Sequence, residues 1–406
     1  MHHDLLFIGL FITCGLCLIP LLEKLHLPWP AALIASGFIG SELVTTYGVD
    51  LSLRWHSLRS LFLDLLIPVL IYDAVLKIKI GDLRQHMLAI VLFSLPFTVL
   101  TALLSGTILY FFIGHPTGFP LASALTAGAL LSITNPIATI KLFSRCPKPL
   151  RTIISGESLF NSIVAISLFS FCVSYSIDLQ NTSMTQAIHT FGQQLIGALG
   201  IGLLSGTLSY LLLRLSNKPN NQTLVSFLVC VSTVYLSNLW LGGAGITAAF
   251  ISSLLLVYLS DRNDIIKKTA QPRLAPMFLQ WNFISYIAAV ITFTIMGISI
   301  TADMFSQQWL AMLIGLFASL LARYVLVHSM GFKLLPAQQR NYMALGGVRG
   351  MAVVALAISL PTELTAWWTI QSIAYAVVLF SILLQTPLLS QKIERQSASF
   401  ANGDRL

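Results

Sequence analysis

The chain has 406 residues, of which 56% are hydrophobic and only 9% are charged, and its mean hydropathy is +0.83. Since a soluble domain carries about 25% charged residues, this composition excludes a soluble globular protein and indicates an integral membrane protein. The net charge of +8 comes mostly from Lys and Arg in short loops, where such residues set topology, so we expect no nucleic-acid partner.

Long apolar runs divide the chain into about 13 predicted transmembrane helices, because a helix needs about 20 apolar residues to cross the bilayer. Runs of this length exclude the short alternating strands of an outer-membrane barrel. We therefore predict an all-α integral membrane protein. The predicted spans, numbered in chain order, are residues 5–22, 29–46, 60–77, 86–113, 121–143, 151–175, 190–214, 222–239, 244–260, 277–300, 308–332, 341–361 and 367–389.

Lys and Arg alternate between the predicted loops. They cluster after odd-numbered spans, for example at Lys141, Arg145 and Lys148 after span 5, whereas the loops after even-numbered spans hold few, apart from Arg54 and Arg59. Loops rich in Lys and Arg stay in the cytoplasm. We therefore predict that the N-terminus lies outside and the C-terminus lies in the cytoplasm.

Two predicted spans are interrupted. Thr-Asn-Pro at 134–136 breaks span 5, and Gly-Gly-Val-Arg-Gly at 346–350 breaks span 12. The breaks lie seven spans apart, so they enter the membrane from opposite sides. Interrupted segments at corresponding positions of two halves are typical of secondary transporters with inverted repeats, here spans 1–6 and 8–13. The alternative is that Gly and Pro only allow close helix packing.

Charged side chains within the predicted spans are each a functional hypothesis, because a charge in the bilayer is costly. Glu157 begins span 6, and Arg349 lies in the break of span 12. We expect these two to form a structural ion pair, since a pair partly offsets the cost of desolvation. Arg323, midway along span 11, is expected to have a carboxylate or carbonyl partner. Asp73 in span 3 is a secondary polar candidate.

Small oxygen-bearing side chains cluster at the start of span 6. Glu157 and Asn161 are four residues apart, as are Ser158 and Ser162, so all four share one broad helix face. Thr134 and the carbonyls freed by the span 5 break are expected to meet that face. Oxygen ligands suit hard cations, so Thr134, Ser158 and Ser162 are candidate ligands for a monovalent cation. The alternative is a polar seam between helices.

Several stretches resemble the NhaP-type sodium/proton antiporters of bacteria and archaea, within the monovalent cation:proton antiporter group. They cover the chain from about span 3 to span 12, and their order agrees with that family. The main stretches are LFLDLLIPVLIYDAVLKIKIGDLR at 61–84, SITNPIATIKLF at 132–143, GESLFNSIVAI at 156–166 and LGGVRGMAVVALAISLP at 345–361, with weaker matches at 292–300 and 320–327.

The resemblance implies a homodimer in the bacterial inner membrane that works by alternating access, with spans 5 and 12 unwound and crossed. It implies no bound cofactor, only the transported Na⁺, Li⁺ or K⁺ and H⁺. Within a single transmembrane domain, 1–406, we expect three parts: a dimerisation part at about 1–80 and 222–300, a mobile core at about 86–175 and 308–390, and a linker helix at about 190–214.

The resemblance also assigns roles to individual residues. Thr134, Ser158 and Asn161 match family positions at or beside the ion site. Glu157 and Arg349 match a family salt bridge near that site. The candidate site therefore comprises these five residues together with Asn135 and Ser162.

This chain departs from the family pattern at the centre of the site. Ser162 replaces the ion-binding aspartate of the family's Asn-Asp, and Asn135 replaces the aspartate of its Thr-Asp-Pro. Cation/proton exchange works because both ions compete for one carboxylate whose pKa lies near the working pH. Serine does not titrate in that range, so the usual mechanism cannot run here unchanged.

Three functional hypotheses follow. The first is a cation/proton antiporter whose titratable group has moved, with Glu157 the first candidate and Asp73 the second. The second is an uncoupled or differently selective carrier, for example of an anion near Arg349. The third is a transport-silent scaffold or sensor. An enzyme is not expected, because Ser158 in Gly-Glu-Ser-Leu is not a nucleophile elbow.

Ser162→Asp tests the departure directly. The substitution should restore a family-like carboxylate, and we expect tighter cation binding and a stronger pH response of transport, because a carboxylate binds either the cation or a proton. The measurement is cation-dependent proton flux in proteoliposomes at several pH values. An unchanged cation affinity and pH response would show that span 6 is wrongly aligned with the family motif.

Overall fold

The computed structural model describes residues 2–24, 27–48, 58–78, 80–113, 119–177, 183–216, 218–267, 274–333 and 335–401. These residues are almost entirely helical, as predicted. The helices are α1 (His2–Lys24), α2 (Trp29–Thr46), α3 (Ile67–Leu76), α4 (Ile80–Gln85), α5 (Met87–Phe112), α6 (Leu121–Ser132), α7 (Pro136–Leu142), α8 (Lys148–Ile177), α9 (Met184–Leu215), α10 (Pro219–Leu241), α11 (Gly245–Lys267), α12 (Ala275–Ser299), α13 (Ala302–Met330), α14 (Ala337–Leu345), α15 (Met351–Ile358), α16 (Trp367–Phe380) and α17 (Thr386–Ala401).

Within the described residues, 10 helical segments are long and apolar enough to cross a membrane, which confirms a multi-pass membrane protein. The predicted number of 13 is not confirmed. Three predicted spans correspond to shorter or less apolar elements: α2, the π-helical turn Leu61–Leu66 followed by α3, and the pair α14 and α15. Arg54, which entered the topology prediction, lies outside the described residues, and the orientation of the termini stays a prediction.

The chain forms two compact units. The first comprises Met1–Leu58, His86–Ser176 and Val290–Leu406, and it contains both interrupted helices. The second comprises Arg59–Gln85 and Ile177–Ala289. This grouping does not identify which part moves or dimerises, so the expected division into dimerisation part, core and linker stays a prediction.

The first interruption follows from the sequence around Pro136. Proline has no N–H and is favoured at the first position of a helix, and it disfavours helical backbone at the residue before it. Accordingly α6 ends at Ser132, the chain is extended through Asn135, and α7 begins at Pro136. The Asn135 side chain caps α7 by accepting a hydrogen bond from the N–H of Ala138 at 3.3 Å.

The second interruption crosses the first. Helix α14 ends at Leu345 and α15 begins at Met351, with the glycine-rich segment 346–350 between them. The N–H of Asn135 donates to the carbonyl oxygen of Val348 at 2.8 Å, so the two breaks are joined by a backbone hydrogen bond. The two predicted discontinuous helices are therefore confirmed, and they cross at their breaks.

Close packing of α5 and α6 holds the first break in the interior of the first unit. A Cβ atom at Gly128 would lie 2.9 Å from the Cα of Gly106 and 2.7 Å from its nitrogen. Small residues let membrane helices approach to backbone contact in this way. Nine of the twelve residues of α6 are buried, which places the start of the break away from lipid.

We expect Gly128→Ala to destabilise the protein, because the added methyl group forces α5 and α6 apart. Overpacking of this kind costs about 1–3 kcal/mol. Gly200→Ala in α9 is the matched control, since a Cβ atom there meets no atom within 4 Å. Thermal unfolding in detergent should show a lower midpoint for the first variant only. Equal midpoints would contradict the close approach.

Candidate functional site

Five of the seven side chains predicted to form the site meet where α8 passes the first break. Thr134, Glu157, Ser158, Asn161 and Ser162 all lie in the first unit, and none exposes more than 2% of its surface. Buried polar groups must be hydrogen-bonded to be tolerated. The structure therefore brings together the helix face and the break that the sequence paired.

Hydroxyl and carbonyl oxygens form the centre of this cluster. The Thr134 hydroxyl donates to the Ser158 hydroxyl at 2.9 Å. The Ser162 hydroxyl donates to the carbonyl oxygens of Thr134 at 2.8 Å and of Ser158 at 2.7 Å. Asn161 donates from its amide to the Thr134 hydroxyl at 3.3 Å. Neutral oxygens at this density are suitable ligands for a hard monovalent cation.

Two threonines that were not predicted from the sequence also belong to the cluster. Thr98 on α5 donates to the Asn161 side-chain oxygen at 2.9 Å, and Thr139 on α7 lies 3.4 Å, oxygen to oxygen, from the Ser158 hydroxyl. Thr139 could have been found, because it lies one turn after Asn135 on the short helix that follows the break. Thr98 has no local signal, because its contact joins residues 63 positions apart.

Glu157 pairs with Arg323, not with Arg349 as predicted. The Arg323 Nη atoms lie 3.1 and 2.9 Å from the two carboxylate oxygens, a bidentate arrangement. Arg323 also donates to the carbonyl oxygen of Met343, which confirms its expected carboxylate or carbonyl partner. The Asn161 amide donates to the same carboxylate at 2.9 Å and so connects the ion pair to the oxygen cluster.

The Arg349 guanidinium group instead donates hydrogen bonds to backbone carbonyls. Its Nε atom donates to the carbonyl oxygen of Leu131, in the last turn of α6, at 3.0 Å, and Nη1 donates to that of Gly347, just after α14. The C-terminal end of a helix carries partial negative charge that stabilises a cation. This explains why Arg349 does not need Glu157. Its Nη2 atom has no hydrogen-bond partner within the described part of the chain.

Gly347 allows the two guanidinium groups to share this region. A Cβ atom at this position would overlap the side chains of both Arg323 and Arg349. Among the described buried side chains of the first unit, the ionisable carboxylate and guanidinium groups are these two arginines and Glu157. The site is therefore richer in positive than in negative side-chain charge.

Two further candidates have local partners. Asn135 caps α7, as described above, so its side chain has a structural contact whatever its role in ion binding. Asp73 lies buried in the second unit, where the Lys77 ammonium group one turn later lies 2.5 Å from its Oδ2 atom. Its Oδ1 atom has no hydrogen-bond partner among the described residues.

Comparisons with known proteins agree with the resemblance seen in the sequence. Residues 9–393 match the profile of the family described as sodium/hydrogen exchanger, transmembrane. The Na⁺/H⁺ antiporter ApNhaP of Aphanothece halophytica is 28% identical over 380 residues, which cover 91% of this chain and 70% of that protein. The low-affinity Na⁺/H⁺ antiporter NhaS1 of Synechocystis is 26% identical over 381 residues, covering 90% and 69%.

The fold also has a solved counterpart. The sodium proton antiporter MjNhaP1 of Methanocaldococcus jannaschii superposes with a TM-score of 0.80 over 99% of both chains, at 18% sequence identity. This similarity confirms the predicted antiporter fold.

The observed pairing predicts that Arg323 matters more for folding than Arg349. Arg323→Ala leaves Glu157 buried without its counter-ion, which costs about 3–5 kcal/mol. Arg349→Ala removes hydrogen bonds to carbonyls but leaves no carboxylate unpaired, so a smaller loss is expected. Thermal midpoints and yields of the two purified variants measure the difference. A larger loss for Arg349→Ala would contradict the assignment of the ion pair.

Proposed function

Because this chain belongs to the family of transmembrane sodium/hydrogen exchangers, we propose that it exchanges a monovalent cation for protons by alternating access. It is a secondary transporter under this proposal, not an enzyme. The observation that carries the proposal is the buried oxygen cluster beside the crossing of two interrupted helices. The names of the relatives specify sodium, so Na⁺ is the first ion to test, followed by Li⁺ and K⁺.

We propose that neutral oxygens bind the cation. The hydroxyls of Thr134, Ser158 and Ser162, with the Thr134 carbonyl, supply the ligands. The Thr134 and Ser162 hydroxyls now donate hydrogen bonds within the cluster and the Ser158 hydroxyl accepts one, and rotation about each C–O bond would turn a lone pair toward an entering ion. No side chain in this set carries a charge, so selectivity rests on the number and spacing of oxygens.

Glu157 is the proposed proton carrier. It is the buried carboxylate of the first unit within the described residues, and Asn161 connects it to the Thr134 hydroxyl. Protonation would weaken the bidentate bond to Arg323 and release the Asn161 amide, which changes the hydrogen bonding of the cation ligands. A proton and a cation would then compete through Asn161, without the usual aspartate at position 162.

The expected assembly and orientation belong to the same proposal. We propose a homodimer in the bacterial inner membrane, as the sequence resemblance implies. The alternation of basic loops supports an orientation with the N-terminus outside and the C-terminus in the cytoplasm. In this arrangement the interrupted helices belong to the mobile core.

A differently selective or uncoupled carrier is the second candidate. Among the described residues, the site has two buried guanidinium groups and one buried carboxylate, and the Nη2 atom of Arg349 has no hydrogen-bond partner there. A surplus of positive charge weakens cation binding and favours an anion. The same experiment distinguishes this carrier from an antiporter and from a transport-silent scaffold.

The test is proton flux in proteoliposomes under an imposed pH gradient, with Na⁺, Li⁺ and K⁺ added in turn. We expect the wild-type protein to dissipate the gradient in a cation-specific way. Glu157→Gln should abolish exchange or its pH dependence, because the neutral side chain cannot carry a proton. The double variant Glu157→Gln/Arg323→Gln is the folding control, since it leaves neither charge of the pair buried alone.

The outcomes separate the hypotheses. Exchange that remains pH-dependent in the folded double variant would exclude Glu157 as the proton carrier. A folded wild-type protein that moves no proton with any cation would contradict the antiporter proposal, and chloride flux in the same vesicles would then support the differently selective carrier.

A further inference from the structure

A π-helical turn, Ser381–Gln385, joins α16 to α17 beside the second interruption. Ser381 is fully buried and Gln385 is 8% exposed. The Thr386 hydroxyl donates to the Ser381 carbonyl, five residues back, at 2.8 Å. Short π-helical turns are rare and often occur at functional sites, so the polar side chains of this turn are candidates for a functional role.

These side chains form a bridge between the two ends of the unwound segment. The N–H of Arg349 donates to the Ser381 hydroxyl at 2.8 Å, and that hydroxyl donates to the side-chain oxygen of Gln385 at 2.6 Å. The Gln385 amide then donates to the carbonyl oxygen of Leu345, the last residue of α14, at 2.8 Å. Two side chains thus supply hydrogen-bond partners at both ends of the break.

The bridged segment is the one that contacts the first break. Between Leu345 and Arg349 lies Val348, whose carbonyl accepts the N–H of Asn135, and the Arg349 side chain reaches the carbonyl of Leu131. A shift of segment 346–350 would therefore move the start of α7 and the Thr134 carbonyl next to it. The bridged segment is therefore joined by one backbone hydrogen bond, from the Asn135 N–H to the Val348 carbonyl, to the peptide unit that contains the Thr134 carbonyl, a proposed cation ligand.

We infer that Ser381 and Gln385 are positioning residues of the proposed ion site. They act through segment 346–350, which they hold against the first break, and their own hydrogen bonds go to its backbone. This inference rests on the proposed cation exchange for its functional consequence, while its structural part can be tested without transport.

Gln371 provides a matched control. It lies on α16, is 5% exposed, and donates from its amide to the carbonyl oxygen of Ala357 in α15 at 3.2 Å. Gln371→Leu therefore removes the same kind of buried amide–carbonyl hydrogen bond between the same two predicted spans, 12 and 13. The bond that it removes ends inside α15, whereas the Gln385 bond ends at the break. A second variant, Ser381→Ala, removes the acceptor of the Arg349 N–H. Ser372→Ala is its control, since the Ser372 hydroxyl bonds within its own helix.

The experiment combines hydrogen–deuterium exchange with cation titration on the purified protein. We expect faster exchange of the amides at 346–350 in Gln385→Leu than in Gln371→Leu. The Na⁺ concentration that gives half-maximal thermal stabilisation, and the half-saturation concentration for exchange in proteoliposomes, should each rise roughly tenfold, the effect of losing one buried hydrogen bond. The maximal exchange rate should change less, and Gln371→Leu should leave both concentrations unchanged.

Gln385→Glu keeps the inference testable if Gln385→Leu does not fold. A protonated carboxyl group has one O–H donor and one acceptor oxygen, as the bridge requires, whereas a carboxylate has no donor for the Leu345 carbonyl. This variant should match the wild-type protection of 346–350 at acidic pH and lose it at alkaline pH.

Equal protection of 346–350 in the Gln385 and Gln371 variants, or pH-independent protection in Gln385→Glu, would overturn the bridge. Unchanged Na⁺ stabilisation in Gln385→Leu would overturn its positioning role. If the wild-type protein is stabilised by Na⁺ but exchanges no protons, the proposed exchange fails while the positioning role is still decided by the binding data.

Discussion

The interior of a lipid bilayer contains no water to bond a free backbone group, and the first unit is built around this constraint. Each interruption of a helix frees N–H and C=O groups that need partners within the protein. At the break before α7, the Asn135 N–H donates to the carbonyl of Val348, and the Asn135 side chain accepts the N–H of Ala138. The carbonyl of Leu131 accepts a hydrogen bond from the Arg349 side chain. The two breaks are tolerated together because each provides hydrogen-bond partners for the other.

The same lack of solvent determines how charges are arranged. Glu157 and Arg323 can be buried because the bidentate contact is supplemented by bonds from Asn161 and to Met343. Arg349 is accommodated differently, at the negative ends of two short helices. In the proposed mechanism, neutral oxygens bind the cation and Glu157 carries the proton, so binding and proton coupling belong to different side chains that Asn161 connects.

Features governed by local chemistry could be predicted from the sequence. Pro136 and the glycines at 346–350 gave both interruptions, and the four-residue spacing of Glu157, Asn161 and the two serines gave the helix face. The partner of Glu157 could not be predicted, since two arginines were available and the choice depends on how α8, α13 and the breaks pack. Thr98 was missed for the same reason, because no local pattern indicates its contact with Asn161.

The predicted number of 13 spans stays a prediction, because three of them correspond to shorter or less apolar elements in the described residues. Windows of hydropathy treat the π-helical turn before α3 and the halves of span 12 as ordinary helix, although the backbone there is not continuous α-helix. Such irregular segments depend on tertiary partners, as Leu345 depends on Gln385. The sequence thus predicted which side chains of α8 and the first break lie together, but it could not give their complete hydrogen-bond network, and their role in ion binding stays a prediction.

The crossing of the breaks has an evolutionary consequence, because it is formed by the main chain. The bond between the Asn135 N–H and the Val348 carbonyl uses atoms that nearly every amino acid possesses. Side chains at 135 and 162 can therefore differ from the aspartates that the family resemblance implies there, without removing the bond that joins the two segments. An architecture of this kind allows ion chemistry to diverge between lineages while the scaffold is inherited intact.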